Sequence, residues 1–214
     1  MGIKERKERH REDFKARILQ AAKKLFITEG YEATSIRKIA AEIEFSPTTI
    51  YLYYKDKTDI AYALHQEGFG LMRERFSALA HVDDPFERLK AMGRGYIQFA
   101  IDHPDFYELM FIMKEPMQYL QAHHPEDEWE EGEQVFNALI QTVEGCKVHG
   151  YFSSMPTEEM AMLSWSVVHG LCSLHITSHF KHIAEKCSDI ELIKQDTLLE
   201  SVFGAYLQLL ERLK

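Results

Sequence analysis

This 214-residue chain lacks any long apolar run. The longest, Leu109-Met110-Phe111-Ile112-Met113, falls far short of the roughly 20 residues that span a bilayer, so no membrane segment is expected. The N-terminus, Met1 to Arg9, is charged and has no apolar centre, which excludes a signal peptide. Cysteine is scarce as well. Cys146, Cys172 and Cys187 form an odd set without CxxC spacing, so a disulfide framework is excluded and reduced thiols in a cytoplasmic protein are expected. Catalytic signatures are equally thin. No GxSxG elbow and no HExxH occur, and Gly68-Phe69-Gly70 and Gly93-Arg94-Gly95 follow no strand, so neither is a dinucleotide loop. The chain reads as a non-enzyme with no cofactor. Alternating strand patterns and internal repeats are also missing, and the charged arm at 4–13 is the sole low-complexity tract.

What is present is helical periodicity and an uneven charge. The net charge of −9 opposes nucleic-acid binding until the chain is divided. Residues 1–60 carry 13 Lys/Arg against 10 Asp/Glu, and residues 61–214 carry 12 against 24. The basic excess therefore sits at the N-terminal end, where a phosphate-contacting module would use it.

The pattern predicts an all-α fold of about nine helices. The first, at about 10–29, lines up Phe14, Ile18, Leu19, Ala22, Leu25 and Phe26, and Gly30 stops it. Thr34 or Ser35 caps a second helix with Ile36, Ile39, Ala40 and Ile43 inward. A third, Ser46 to Leu52, opens on a capping serine and a proline that lacks only a redundant donor. Asp56 or Lys57 starts a long helix to about residue 80. Asp84-Pro85-Phe86-Glu87 starts another, and His103-Pro104 separates 86–101 from 105–117. An acidic loop at 121–133 leads to a helix at 129–146. Helices follow at about 157–182 and 190–213, the last behind the capping box Ser188-Asp189-Ile190-Glu191.

Helices two and three, joined by a tight turn, have the layout of a helix-turn-helix whose second member enters the major groove. Ile18, Ala22, Leu25, Ile39, Ala40, Phe45 and Ile50 would fill a small shared core. Arg37 and Thr48 suit base edges, Arg most readily a guanine. Ser35, Tyr51, Tyr53 and Lys57 suit phosphate oxygens, which set register. With Thr34, Pro47 and Thr49 these residues make up the DNA-facing set. The chain thus divides into a helix-turn-helix domain at 10–57 and a ligand-binding and dimerisation body at 58–214.

Residues 17–64, from Arg17-Ile18-Leu19 through Gly30-Tyr31, Thr34-Ser35, Ile39-Ala40 and Ser46 to Thr49-Ile50-Tyr51-x-Tyr53-Tyr54-x-x-Lys57, closely resemble the N-terminal domain of TetR-family transcriptional regulators. His103-Pro104-Asp105-Phe106-Tyr107-x-Leu109-Met110-Phe111 and Trp165-x-x-x-His169-Gly170-Leu171 are similar to signposts in one branch of that family. The resemblance implies a homodimer on double-stranded operator DNA and a pocket in the C-terminal body whose occupancy moves the two DNA heads apart. Glu44 departs from the family pattern, because glycine is usual in that turn. A side chain held left-handed there costs on the order of 1 kcal/mol, and it brings an acid near DNA.

A lipophilic or aromatic effector is expected in the C-terminal body. Phe106, Met110, Met113 and Met117 recur on one helical face, with Phe69, Met72, Tyr96, Phe99, Phe136 and Ile140 placed to face them; methionine walls remould around varied guests. Leu163, Val167, Leu171 and Leu174, with Leu192, Leu199, Val202, Phe203, Tyr206 and Leu210, form stripes suited to a four-helix dimer interface. The competing expectation is a metal sensor or metal-dependent enzyme. It rests on His169, His175, His179 and His182 sharing one helix, with His175 and His179 at chelating spacing near Cys172. In the resembling family His169 belongs to a packing motif instead. A DNA-binding activator without a ligand is a third reading.

Overall fold

A computed structural model describes residues 2–123, 129–186 and 195–214. The predicted capping box at 188–191, Leu192, Cys187 and the centre of the acidic loop lie outside them. Among the described residues there are eleven α-helices and no strand: α1 (Ile3–Glu29), α2 (Ile36–Glu42), α3 (Pro47–Ile50), α4 (Lys57–Ser77), α5 (Pro85–Asp102), α6 (Pro104–Tyr107), α7 (Glu115–His123), α8 (Glu130–Val148), α9 (Thr157–Ile176), α10 (His179–Lys186) and α11 (Gln195–Glu211). A 3₁₀ turn follows α4 at Ala78–His81, and a π turn follows α6 at Glu108–Ile112. No single helix among them is long and apolar enough to cross a membrane.

The helix count exceeds the expected nine because two predicted helices are broken. In place of one helix over 105–117, the backbone widens into the π turn and becomes extended at Met113 (φ −68°, ψ 137°) before α7 begins. A wide turn of this kind shifts side-chain register, so Phe106, Met110, Met113 and Met117 no longer share one stripe. In place of one helix over 157–182, Ser178 adopts φ 61° and the axis bends by 73°. Thr177 favours the stop, since its hydroxyl donates back to the Ser173 carbonyl at 2.6 Å.

The chain forms two compact units, residues 1–69 with 105–129, and residues 70–104 with 130–214. The first unit reaches past the expected boundary after Lys57. The reason is aromatic packing within the first unit. Tyr62 lies 5.3 Å from Tyr119, Phe69 lies 5.4 Å from Phe111, and a Cβ on Gly68 would stand 2.5 Å from the Met110 sulfur.

In that unit Ile18, Ala22, Leu25, Ile39, Ala40 and Ile50 are buried together, as expected. Phe45 is not among them. It is 42% exposed, with its ring edge on Phe14 at 4.7 Å and the Arg17 guanidinium above it at 5.2 Å. It follows the α2 stop, where the Phe45 amide donates to Ala40 (2.9 Å) and the Glu44 amide to Ala41 (3.1 Å), and such a reversal carries the ring outward.

The second unit closes around Phe86, Leu89, Val143, Cys146, Phe152, Met160, Ala161 and Leu210. Asp84 starts α5 by accepting from the Phe86 and Glu87 amides at 2.8 and 3.0 Å, and Phe86 stacks on Tyr151 at 4.4 Å. Gly93 lets the Phe203 ring reach the α5 backbone, since a Cβ there would lie 2.6 Å from its Cζ. Burial pushes the Cys146 and Cys172 thiols up to about 12, so both are neutral packing groups.

Candidate nucleic-acid interface

A single turn of helix holds the residues expected to face DNA after α2. Ser46 caps α3, its hydroxyl accepting from the Thr49 amide at 3.2 Å and lying 2.9 Å from the Thr49 hydroxyl. Buried Ile50 is the inward anchor. Helical bonding continues past α3, from the amides of Tyr51 to Pro47 and of Tyr54 to Ile50, so the predicted seven-residue helix survives as one α turn followed by tightening turns. On α2, Ser35 is the cap, accepting from the Lys38 amide at 3.3 Å.

The nine named residues separate into three groups. Arg37, Thr48 and Tyr51 are exposed, Tyr51 by 56%. Ser35, Pro47, Thr49 and Tyr53 hold the frame: Ser35 and Thr49 through the cap bonds, Pro47 at the first position of α3, and Tyr53 with its ring 5.0 Å from Phe14. Thr34 and Lys57 are turned inward. Thr34 is buried and donates to the Gly30 carbonyl at 2.8 Å. The Lys57 ammonium donates to the carbonyls of Tyr31 (2.8 Å) and Thr34 (3.3 Å) and lies 4.1 Å from the Tyr31 ring centre. Those carbonyls sit in the turn after α1, outside any helix, and a cation satisfies them better than water at a half-buried site. Lys57, expected on phosphate, and Thr34, named in the DNA-facing set, thus act here as tethers that fix α2 and α4 against the end of α1.

Three exposed neighbours escaped the sequence reading: Lys38, Lys55 and Leu52, the last 75% exposed. Leu52 stands four residues beyond Thr48, a helical spacing that would have marked it. Arg17 supports the turn from behind by donating to the Ile43 carbonyl at 3.2 Å.

The effector candidates fall into both units. In the first, Phe69, Phe106 and Met110 are buried, and Met113 and Met117 are half-buried. In the second, Met72, Tyr96 and Phe99 are buried, whereas Phe136 and Ile140 pack half-buried against the core around Phe86. A cavity of about 140 Å³ in that unit, lined by Phe76, Met92, Val135 and Thr142 among others, includes none of them. Tyr96 instead anchors a chain of bonds: the Trp165 indole donates to its hydroxyl at 3.2 Å, and that hydroxyl lies 3.0 Å from His169 Nδ1. Burial lowers the His169 pKa, so a neutral ring is available to accept.

The break at Ser178 also corrects the metal expectation. His169 and His175 lie on α9 and His179 and His182 on α10, so His175 and His179 no longer stand one helical turn apart. Among the described residues no group of three or more His, Cys, Asp or Glu is placed to hold an ion. The expected dimer stripe divides by burial: Leu171, Leu199, Phe203 and Leu210 are buried within the chain, whereas Leu163, Leu174 and Val202 are exposed, as are Met162 and Leu209.

A helix-turn-helix at the head of an all-helical chain defines a DNA-binding transcriptional regulator. Residues 18–64 match the family model described as bacterial regulatory proteins, tetR family, and residues 89–191 match that of the tetracyclin repressor-like C-terminal domain; the chain belongs to the TetR family. An HTH-type transcriptional regulator of Staphylococcus aureus strain MRSA252 is 33% identical over 90 residues, covering 41% of this chain and 48% of that protein. The chain thus spans about half the length of the curated relatives it matches. The fatty acid degradation regulator FadR of Bacillus halodurans is similar in fold, with TM-score 0.68, 18% identity and coverage of 90% of this chain and 94% of that one. The TetR-family regulator PfmR of Thermus thermophilus gives 0.62, 21%, 92% and 97%.

Proposed function

We propose that this regulator is a repressor that binds a palindromic operator as a homodimer and is released by a small lipophilic or aromatic effector. The exposed trio carries the proposal: Arg37 on α2, with Thr48 and Tyr51 on the capped single turn that follows it. Arg37 reads guanine, Thr48 reads a neighbouring base edge, and Tyr51, Ser35 and Lys38 hold phosphates. The apolar residues left outward on α9 and α11, from Leu163 to Leu209, form the self-complementary patch that a twofold dimer requires. The effector acts through its higher affinity for the state in which the two reading elements stand too far apart for adjacent grooves.

Mobility shift across the chain's own promoter region tests this, with light scattering for the dimer. Specific retardation that weakens steeply with salt is expected. Arg37→Ala should lose about tenfold or more in affinity and relax preference at one base pair. Unspecific binding, or none, rejects the repressor reading.

A further inference from the structure

Two buried polar atoms in the first unit have nothing to bond among the described residues. His65 on α4 is 1% exposed, and its Nε2 has no hydrogen-bond partner there; the indole N–H of Trp129 is likewise shielded and unpartnered. The two rings are neighbours, with centroids 6.1 Å apart, and the surroundings are aromatic. Phe69 lies 4.9 Å from His65 and 5.0 Å from Trp129, Tyr62 lies 6.1 Å from His65, and Phe111 and Tyr119 close the group. Native interiors rarely leave such groups unmet, because an unpaired buried donor forfeits its hydration without return. The partner is therefore something these residues do not themselves supply.

From this pair we infer that His65 and Trp129 form the polar anchor of an effector subsite, taking a neutral ring compound that carries a carbonyl or similar acceptor oxygen. The inference deepens the effector reading above and rests on it. Trp129 can only donate, which calls for an acceptor. A carbonyl oxygen has two lone pairs, one for the indole and one for His65 in its Nε2–H tautomer. The aromatic walls suit a flat apolar body, and a few convergent polar groups in an apolar lining are what orient a small guest. An anion fits poorly. Burial alone lowers the His65 pKa to about 4, so no cation waits there, and burial, then the Asp59 and Asp56 charges, raise the neighbouring Tyr119.

Matched probes that differ only in the acceptor test this on the full-length protein. Acetophenone is compared with ethylbenzene, and benzophenone with diphenylmethane, by titration calorimetry. Each ketone should bind about tenfold more tightly than its hydrocarbon partner. In Trp129→Phe and His65→Phe that preference should shrink to within about twofold while the hydrocarbons bind as before. Because His65→Phe can perturb folding, an independent readout is the indole N–H resonance, assigned by Trp129→Phe, which should shift with ketone and not with hydrocarbon. A mere water bridge between the two rings would leave ketone and hydrocarbon equal, and that result overturns the inference. So does a lack of saturable binding, or a preference that survives both substitutions. Operator retardation measured on the same preparations separates the two readings. DNA binding intact without ketone preference sinks the subsite alone, whereas ketone preference without DNA binding sinks the repressor reading alone.

Discussion

Glu44 gives the sharpest test of how this head is built. It holds φ 60° at the stop of α2, a conformation that costs a residue with a Cβ about 1–2 kcal/mol. Glu44→Gly removes that cost but frees the unfolded chain, which returns about 0.4–1 kcal/mol to the unfolded state. The net gain is about 0.8 kcal/mol, or roughly 2–3 °C in Tm for a chain of this size. Glu44→Ala is the control, since it removes the same charge and keeps the strained backbone. Thermal and urea denaturation should rank glycine above alanine, with Glu44→Asn between them because asparagine tolerates the left-handed region. Operator affinity separates the second effect. A carboxylate about 10 Å from a phosphate repels it by about 0.4 kcal/mol in water, so both variants should bind DNA about twofold more tightly at low salt. An alanine variant as stable as the glycine one would refute the backbone account.

Three further outcomes follow from groups already described. Lys57→Met should destabilise the protein by about 1–3 kcal/mol in urea, because the carbonyls of Tyr31 and Thr34 lose their donor, and it should weaken operator binding without changing base preference. Gly93→Ala sets a gain of about 1 kcal/mol in helix propensity against about 1–3 kcal/mol of overpacking on Phe203; calorimetry should show a lower Tm that Phe203→Leu restores. His65 is held neutral down to about pH 4, whereas in the unfolded chain it takes a proton near 6.5. The unfolded state thus binds more protons between those values, and stability should fall by up to about 3 kcal/mol as pH drops from 6.5 to 4, a slope that His65→Phe should flatten in denaturant titrations.

Local chemistry writes the helix starts plainly into the sequence. Ser35, Ser46-Pro47 and Asp84-Pro85 announce caps because a side-chain oxygen meets a free amide within three residues, and the structure places each where expected. The exposed trio Arg37, Thr48 and Tyr51 is legible for the same reason: short-range periodicity decides which side of a short helix faces inward. Long-range partners decide the rest. Nothing near Lys57 in sequence reveals that Tyr31 and Thr34, more than twenty residues earlier, present carbonyls to it. The π turn at Glu108–Ile112 and the stop at Ser178 lie inside unbroken apolar periodicity, where tertiary packing overrides the 3.6-residue rhythm. Phe45 reads as core by its hydrophobicity, although the reversal at Glu44 decides its direction.

The brevity of α3 has a consequence for how binding preference changes. A single turn has almost no conformational stability alone, so a synthetic peptide copying residues 46–54 would be coil in water. Its shape is lent by the scaffold through Ile50, the Ser46 oxygen and the Lys57 tether, none of which belongs to the exposed trio. Vocabulary and grammar are thus held by different residues. On the proposed reading, new operators are reachable by rewriting positions 37, 48 and 51 alone, with melting behaviour left nearly untouched.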